Sequence, residues 1–273
     1  MKNLSDDDVF HVIFTRFNVR SGGKEKVLRD KADWLRSRYE LFDRYCFPSI
    51  MTQSDTQFLW LVFFDDGTPE EYKEINRLYK ERLPQFTPVY VGEWNTEAVV
   101  RIFNSFIPSD AEWLLTTRLD NDDGLNREFI KTLREASFSA STYFNFPDGL
   151  TFANGNGYVH RDESNAFLSY VEPVNNFQGV WKHPHPEVAK NFKVQQLSLP
   201  YAWLQVIHGG NVSNKVRGKV VPPELWVPGF SELTDLKVVS VGPVRRFVDR
   251  HILSNIRSMR DSGIKVVKKL IGR

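Results

Sequence analysis

Two stretches of the sequence decide the fold: FLWLVFFDDGT at residues 58–68 and WLLTTRLDNDDG at residues 113–124. The first stretch begins with a continuous apolar run and the second reads as a strand, and each ends in carboxylates and a glycine. A strand that is buried on both faces shows no polar alternation, which is typical of a parallel sheet. Residues 11–17 form a third run of this kind. The sequence therefore predicts buried parallel strands that each end in polar residues.

Helical patterns separate these strands. Apolar residues recur at helical spacing over residues 24–46 and again over residues 72–83. Pro48 is expected to disrupt the first helix, Thr68 to cap the second, and Asn95 to cap a third. This alternation of strands and helices predicts an α/β fold with a mostly parallel, Rossmann-type sheet flanked by helices.

The second half of the chain has a different pattern. Residues 141–146 and 150–153 flank Pro147-Asp148-Gly149, which predicts a β-hairpin, and a second turn follows at residues 154–157. A strand is expected at residues 201–207, and a helical tail from Pro243. We divide the chain into a domain over residues 1–242, with a nucleotide-binding half (1–125) and an acceptor-side half (126–242), and a tail over residues 243–273.

The bulk composition narrows the class of protein. The chain of 273 residues is 41% hydrophobic and 26% charged, as expected of a protein with a full core. Cys46 is the single cysteine, which rules out an internal disulfide. The N-terminus has no signal-peptide pattern, and the apolar run at residues 58–64 is too short to span a bilayer. We expect a cytoplasmic protein, peripheral on the inner face of a bacterial plasma membrane.

The acidic cluster Asp120-Asn121-Asp122-Asp123 is the first candidate site. Carboxylates this close repel one another, and a hard divalent cation relieves the repulsion. Mg²⁺ or Mn²⁺ would bridge such oxygens to phosphates and stabilise a departing diphosphate. The alternative interpretation is an acidic surface loop that caps the next helix.

The order of these motifs resembles that of known enzymes. Residues 46–68, with Asp65-Asp66-Gly67-Thr68, and residues 113–123 resemble the opening and the Asp-x-Asp segment of family 2 glycosyltransferases. A closer resemblance is to a bacterial family of rhamnosyltransferases. The segments that carry it are Thr15-Arg-Phe-Asn18, Arg118-Leu-Asp-Asn-Asp-Asp123, Asn165-Ala-Phe-Leu-Ser-Tyr-Val-Glu172 and Trp203-Leu-Gln-Val-Ile-His208-Gly-Gly-Asn211. This resemblance implies a GT-A-like fold.

The resemblance also implies roles for individual residues. Asp65 would hold the base or the ribose, Asp120 would approach the ribose or the diphosphate, and Asp122 would bind the metal with help from Asp123. The donor-binding set implied is Thr15, Arg16, Asn18, Asp65, Arg118, Asp120 and Asp122. Arg16 and Arg118 suit phosphate oxygens because a guanidinium is a forked donor. Alternatively, they form structural ion pairs with the acidic residues.

Histidines supply further candidates. His208 ends a predicted strand, and a late histidine completes the metal shell in several GT-A enzymes, so we assign it as the second metal ligand. His183 and His185, in Lys-His-Pro-His-Pro, are candidates on the acceptor side. Each of the three has an alternative role as a hydrogen-bonded loop histidine.

An inverting enzyme needs a general base for the acceptor hydroxyl. Glu172 ends the segment that resembles the family, so we choose it, with Asp123 as its catalytic companion. Asp148, Asp162 and Glu163 are the alternatives. Three tryptophans are candidates either for stacking on a sugar or nucleobase or for the core, namely Trp181, Trp203 and Trp226.

The C-terminal tail is basic and amphipathic. Residues 244–273 contain nine Lys or Arg and two Asp, whereas the whole chain has a net charge of only +2. Such a helix suits an anionic membrane surface, and the alternative is a helix packed on the domain with a solvated basic face. The sequence contains no recognised nucleic-acid motif, so we expect no nucleic-acid partner.

These patterns predict a metal-dependent glycosyltransferase. It would use Mn²⁺ or Mg²⁺ to move a sugar, rhamnose by resemblance, from a nucleotide-diphosphate donor to a cell-surface polysaccharide or lipid-linked glycan. Two alternatives stay open. One is a sugar nucleotidyltransferase. Such enzymes carry a glycine-rich phosphate loop just after the first strand, and residues 15–23 do not match this pattern. The other is a non-catalytic scaffold at the membrane, against which the acidic cluster argues.

Overall fold

The computed structural model describes residues 1–20, 33–92, 94–209, 215–233 and 236–260. Its strands are β1 (Lys2–Asn3), β2 (Val9–Arg16), β3 (Leu59–Asp65), β4 (Phe86–Val91), β5 (Trp113–Arg118), β6 (Gly124–Leu125), β7 (Ser137–Phe138), β8 (Thr142–Asn145), β9 (Asp148–Ala153), β10 (Asn156–Arg161), β11 (Ser169–Pro173), β12 (Val194–Gln196), β13 (Trp203–Val206) and β14 (Lys219–Val221). Its helices are α1 (Trp34–Leu41), α2 (Phe47–Met51), α3 (Glu70–Arg82), α4 (Thr96–Asn104), α5 (Phe129–Arg134), α6 (His185–Asn191), α7 (Pro223–Trp226) and α8 (Pro243–Val248). None of the helices in these ranges is long and apolar enough to cross a membrane.

Seven strands form the main sheet, in the order β12-β8-β11-β5-β2-β3-β4. Strands β5, β2, β3 and β4 are parallel to one another, and β11 runs antiparallel to both of its neighbours. The alternation of strands and helices in the first half of the chain is therefore confirmed as a mixed α/β fold. Because β2, β3 and β5 are parallel, their carboxyl ends lie at the same edge of the sheet.

The sheet is buried on both faces, as its apolar runs predict. Along β3, Trp60, Val62 and Phe64 belong to a core shared with the helices α1 to α3. Leu61 and Phe63 belong to a second core on the opposite face, which includes Phe103 of α4. One strand therefore contributes alternate side chains to two layers, which fixes its position in the sheet.

A second sheet carries the later strands, in the order β14-β10-β9-β13-β6. The hairpin predicted at residues 147–149 is wrong, because β8 and β9 lie in different sheets. The hairpin instead joins β9 to β10 through Asn154 and Gly155, whose φ angles of 49° and 74° are those of a tight two-residue turn. Gly149 lies within β9, where an added Cβ would stand 2.0 Å from the Trp203 ring. Close packing against that ring explains this glycine.

Two predicted helix boundaries also differ. Helix α1 continues through the π-helical turn Phe42–Cys46 into α2, so Pro48 does not end the helix. A π-helical turn widens the backbone locally, and Pro48 follows it in the first turn of α2, where a missing N–H costs little. Thr68 does not cap α3, because its hydroxyl donates to the carbonyl of Asp65. Asn95 does cap α4, by accepting from the N–H of Ala98.

The predicted tail is helical as far as it is described. Helix α8 continues through the π-helical turn Asp249–Leu253 into residues 254–260, and residues 261–273 lie outside the described part of the chain. The Asp249 carboxylate accepts from the N–H of Val220 in β14 and pairs with Arg257 at 2.8 Å. These contacts fix residues 249–257 against the second sheet.

Candidate functional site

The predicted site residues surround the carboxyl edge of the main sheet. Arg16, Asp65 and Arg118 are the last residues of β2, β3 and β5. The loop of residues 120–123 follows β5 directly, and the side-chain amide of Asn121 ties it to β2 by donating to the Phe17 carbonyl at 2.8 Å. The parallel strands therefore bring residues about 100 positions apart in the sequence to one edge.

Asp122 is the buried centre of this edge. Its Oδ2 accepts from Nη1 of Arg38 at 2.9 Å and lies 2.9 Å from Nε2 of His208. Burial alone would raise the pKa of Asp122, but the hydrogen bond from His208 and the charge of Arg38 outweigh burial and lower it. Asp122 is therefore held as a carboxylate.

The pair of Asp122 and His208 fits a divalent cation as part of its shell. An octahedral ion with ligands at about 2.1 Å holds neighbouring ligands roughly 3 Å apart, which matches the 2.9 Å between these two atoms. No group of three or more His, Cys, Asp or Glu ligands occurs among the described residues. Mg²⁺ usually keeps a few protein ligands and fills its other positions with water and phosphate oxygens, so a two-ligand site suits it.

Asp120 and Asp123 have different surroundings from Asp122. Asp120 is half-buried, and both of its oxygens face Nη2 of Arg118, at 3.1 and 3.2 Å. Asp123 is only 1% exposed, and its Oδ1 accepts from the N–H of Val206 in β13. Burial and the charges of Asp122 and Asp120 raise the pKa of Asp123. The structure thus corrects the catalytic role predicted for Asp123, whose side chain joins two parts of the fold.

Two arginines pack on one tryptophan beside this acidic loop. The guanidinium carbons of Arg16 and Arg118 lie 3.8 and 3.9 Å from the ring centroid of Trp181. Both cations are therefore held within roughly 8 Å of each other by cation–π contacts. Nε of Arg118 and Nε1 of Trp181 are buried without a hydrogen-bond partner among the described residues. Two adjacent cations with a buried N–H donor form a surface that attracts an anion.

Three further residues are predicted to bind the donor, namely Asp65, Asn18 and Thr15. Asp65 stays at the edge, where Arg20 donates to its Oδ2 at 2.6 Å. Asn18 is buried and joins β2 to the turn after β3, because its amide oxygen accepts from the N–H of Asp65 and its amide nitrogen donates to Thr68. Thr15 is 0% exposed, and its hydroxyl accepts from Nε1 of Trp60. The side chain of Thr15 therefore belongs to the core, which corrects its predicted role.

Glu172 lies at the opposite end of the sheet from the acidic loop. It pairs with Leu114 near the start of β5, about 13 Å along the strand from Arg118. Its two oxygens accept from the N–H groups of Gln178 and Gly179, at 3.0 and 2.6 Å. Burial raises the pKa of its carboxyl, although these hydrogen bonds oppose the shift. The structure corrects the prediction of a catalytic base, because Glu172 anchors the loop that leads to Trp181.

The two acceptor-side histidines have different environments. The ring of His183 packs against Phe192, with centroids 4.5 Å apart. The ring of His185 is half-buried, and its Nδ1 lies 3.0 Å from the carbonyl oxygen of Ser164. Burial lowers the pKa of His185, and the charges of Arg118, Asp120 and Asp162 act on it. His185 is therefore held by a backbone carbonyl, whereas His183 packs on an aromatic ring.

Sequence reasoning missed Arg38 and weighed Trp181 only as one of three tryptophans. Arg38 comes from α1, more than 80 residues before its partner Asp122, and no spacing pattern connects the two. The position of Trp181 in the sequence could have singled it out, because it lies between Glu172 and the two candidate histidines His183 and His185. Trp203 and Trp226 are fully buried, which confirms the core interpretation for both.

A family model described as "Putative rhamnosyl transferase" matches residues 12–220, and no curated protein matches the sequence. Among solved structures, the inositol-1-phosphate CTP transferase from T. maritima has 10% identity and a TM-score of 0.39, with 85% of this chain and 98% of that chain covered. TarS from S. aureus in complex with UDP-GlcNAc has 11% identity and a TM-score of 0.44, with 87% of this chain and 69% of that chain covered.

The family match covers more than half of the chain, including most of β2, the acidic loop and His208. The family match alone supports the assignment of this chain to a family, because the similar structures have TM-scores below 0.5. The chain therefore belongs to this family of rhamnosyl transferases and is a glycosyltransferase.

Proposed function

We propose that the chain is a GT-A-like enzyme that transfers a sugar, rhamnose by its family, from a nucleotide diphosphate to a glycan acceptor. The observation that carries the proposal is the meeting of two kinds of group at the carboxyl edge of the sheet. Asp122 and His208 converge to 2.9 Å, and the arginines on Trp181 lie beside the same loop. A nucleoside diphosphate is the ligand that needs both a cation site and guanidinium donors.

In this proposal each residue has a definite task. Asp122 and His208 hold Mn²⁺ or Mg²⁺, which supplies positive charge to the leaving diphosphate. Arg38 keeps Asp122 ionised and oriented. Arg16 and Arg118 bind phosphate oxygens, with Trp181 holding their planes in place. Asp65 and Asp120 lie at the same edge, where the ribose and base would bind.

Calorimetric titration with UDP, dTDP and GDP, each with and without Mn²⁺, tests this proposal. We expect one nucleotide to bind in the presence of Mn²⁺, and Asp122→Ala to lose that binding. Asp110→Ala is the matched control, because Asp110 is an exposed carboxylate away from the strand ends that form the site. If none of the three nucleotides binds under either condition, the proposal is wrong and the scaffold interpretation is preferred.

The described part of the tail supports a location for the acceptor. Phe247, Ile256 and Met259 are 65%, 57% and 74% exposed, so the apolar stripe of this helix faces away from the domain. Arg245, Arg246 and Arg250 are exposed on the same segment. Apolar side chains bordered by arginines suit the interface of an anionic bilayer. We therefore propose that residues 243–260 bind the membrane surface, where a lipid-linked acceptor would be held.

Vesicle flotation tests this surface. The protein should float with vesicles of phosphatidylglycerol and phosphatidylcholine, and not with phosphatidylcholine alone. Ile256→Ser should weaken binding at least about tenfold, because one buried aliphatic side chain contributes roughly 1.5–3 kcal/mol and about 1.4 kcal/mol is a factor of ten. Leu225→Ser is the control, since Leu225 is equally exposed, at 57%, but lies on α7. Equal losses in both variants, or dimerisation that Ile256→Ser abolishes, would instead assign the stripe to a non-membrane contact.

A further inference from the structure

The reaction proposed above leaves one proton without an acceptor. The hydroxyl that attacks the sugar must lose its proton, and Glu172 lies at the far end of the sheet with both oxygens bound to backbone N–H groups. Asp148 pairs with Arg161 at 2.8 Å, and Glu163 has a mostly exposed side chain. Asp162 is half-buried, and its Oδ1 accepts from the N–H of Ser164.

His185 is fixed in one position by Ser164. The ring Nδ1 lies 3.0 Å from the Ser164 carbonyl oxygen, and the Ser164 hydroxyl in turn donates to the carbonyl of His185 and accepts from the N–H of Ala189. A carbonyl oxygen can only accept a hydrogen bond, so Nδ1 of His185 must carry a proton. In the neutral ring Nε2 then has a free lone pair. Nε2 makes no hydrogen bond to any described residue.

The surroundings of the ring face the donor site. The charged groups that act on it come from three elements: Arg118 at the end of β5, Asp120 in the acidic loop and Asp162 after β10. His185 also follows Trp181 by four residues, and Trp181 packs on Arg118. The imidazole therefore follows the residue that packs on Arg118, and Ser164, which binds its Nδ1, also donates its backbone N–H to Asp162.

We propose that Nε2 of His185 is the general base of the transfer, an inference that rests on the proposed function. The acceptor oxygen forms a bond to the anomeric carbon while the bond from that carbon to the diphosphate oxygen breaks. The electron pair of the broken bond leaves with the nucleoside diphosphate, and the hydroxyl proton moves to Nε2. Solvent later removes this proton. Burial keeps the imidazole neutral at pH 7, since it lowers the pKa of His185 below 6.5.

Release of dTDP from dTDP-rhamnose in Mn²⁺, with water as the acceptor, tests the inference on the full chain. His185→Gln should lower the turnover about 10²- to 10⁴-fold, the usual contribution of a general base. The affinity for dTDP, measured by calorimetry, should stay within about twofold, because no donor contact is removed. Glu187→Gln, an exposed substitution on the same helix, should keep both values.

The pH profile gives a second readout. The wild-type turnover should fall as the pH drops, with a midpoint below 6.5, because protonated His185 cannot accept a proton. This acid limb should be absent from the residual activity of His185→Gln. If His185→Gln has wild-type turnover and still binds dTDP, the assignment of His185 as the general base is wrong, but the proposed transferase function is unaffected. Loss in Asp162→Asn but not in His185→Gln assigns the base to Asp162. The proposed function itself is overturned only if the wild type binds none of UDP, dTDP and GDP.

Discussion

Substituting Glu172 by glutamine separates an anchoring role from a catalytic one. The carboxylate now accepts from two backbone N–H groups, those of Gln178 at 3.0 Å and Gly179 at 2.6 Å. The side-chain amide of glutamine has one carbonyl oxygen, which accepts, and one NH₂ group, which donates. One of the two backbone N–H groups would therefore face the NH₂ group, which is another donor. The loop also depends on Thr116, whose hydroxyl accepts from the N–H of Val180 at 2.8 Å. The substitution therefore weakens the attachment of the loop without removing it.

The expected loss of stability follows from this geometry. A hydrogen bond to a charged group contributes roughly 1.5–3 kcal/mol, and the opposed N–H adds the cost of an unmade bond. We expect Glu172→Gln to lower the free energy of unfolding by about 2–3 kcal/mol. At about 2–4 °C per kcal/mol for a chain of this size, the midpoint of thermal unfolding should fall by roughly 4–12 °C. Glu81→Gln, an exposed substitution on α3, should change the free energy by less than about 0.5 kcal/mol.

The activity distinguishes the two roles. If Glu172 only anchors the loop, the loosened Trp181 should weaken donor binding and raise KM, and kcat at saturating donor should fall by less than about tenfold. A general base would instead lower kcat about 10²- to 10⁴-fold with little effect on the stability. Thermal unfolding and dTDP release from dTDP-rhamnose measure both quantities. An unchanged melting temperature with a hundredfold loss of kcat would refute our placement of Glu172.

Three further substitutions test other parts of the structure. Trp181→Leu should weaken binding of the nucleotide about tenfold or more in calorimetry. The substitution removes two cation–π contacts, of roughly 1 kcal/mol each, that hold Arg16 and Arg118. Unchanged affinity would show that Trp181 does not position the arginines for binding. Gly149→Ala should destabilise the fold by about 2–3 kcal/mol in chemical denaturation, since its Cβ would stand 2.0 Å from the buried Trp203 ring, whereas Gly242→Ala, with nothing within 4 Å, should be close to neutral. Burial, helped by the charge of Arg134, lowers the pKa of His11 to about 3. Between pH 6.5 and pH 3 the unfolded chain therefore binds a proton that the folded chain does not. The free energy of unfolding then falls as the pH falls, by up to about 1.4 kcal/mol per pH unit. His11→Gln should flatten this part of the pH dependence, and an unaltered slope would assign it to other groups.

The first half of the fold could be predicted from the sequence because its strands are rich in apolar residues and have marked ends. Residues 58–64 are entirely apolar, residues 113–119 show no regular polar alternation, and the carboxylates after both mark where the backbone leaves the sheet. The second half could not be predicted as well. Pro147-Asp148-Gly149 has the composition of a turn, but Gly149 is a strand residue beside Trp203. Local composition does not reveal such a long-range packing contact.

The candidate site shows the same division between local and distant information. Asp122 and His208 are separate candidates implied by the family resemblance, and the structure brings them to 2.9 Å. Arg38 had no such signal, because it lies 84 residues before its partner Asp122 and no motif connects the two. Glu172 was misplaced for a different reason. Its segment matched a family pattern, but a sequence pattern does not show that β11 runs antiparallel and ends at the far edge of the sheet.

The direction of β11 explains how the rest of the site is assembled. Because this strand runs opposite to β5, it ends with Pro173 beside Trp113, the first residue of β5, and the chain must return along the face of the sheet to reach the acidic loop. The return begins where Glu172 holds Gln178 and Gly179, continues where Thr116 holds Val180, and reaches the site with Trp181 against Arg118. His185 follows directly. The strands fix the positions of Asp122 and His208, but this one connection carries both Trp181, on which the two arginines pack, and His185, the proposed base. Substitutions that loosen the attachment of the connection, at Glu172 or Thr116, should therefore weaken donor binding and lower turnover together, whereas Asp122→Ala should abolish metal-dependent binding without moving the connection.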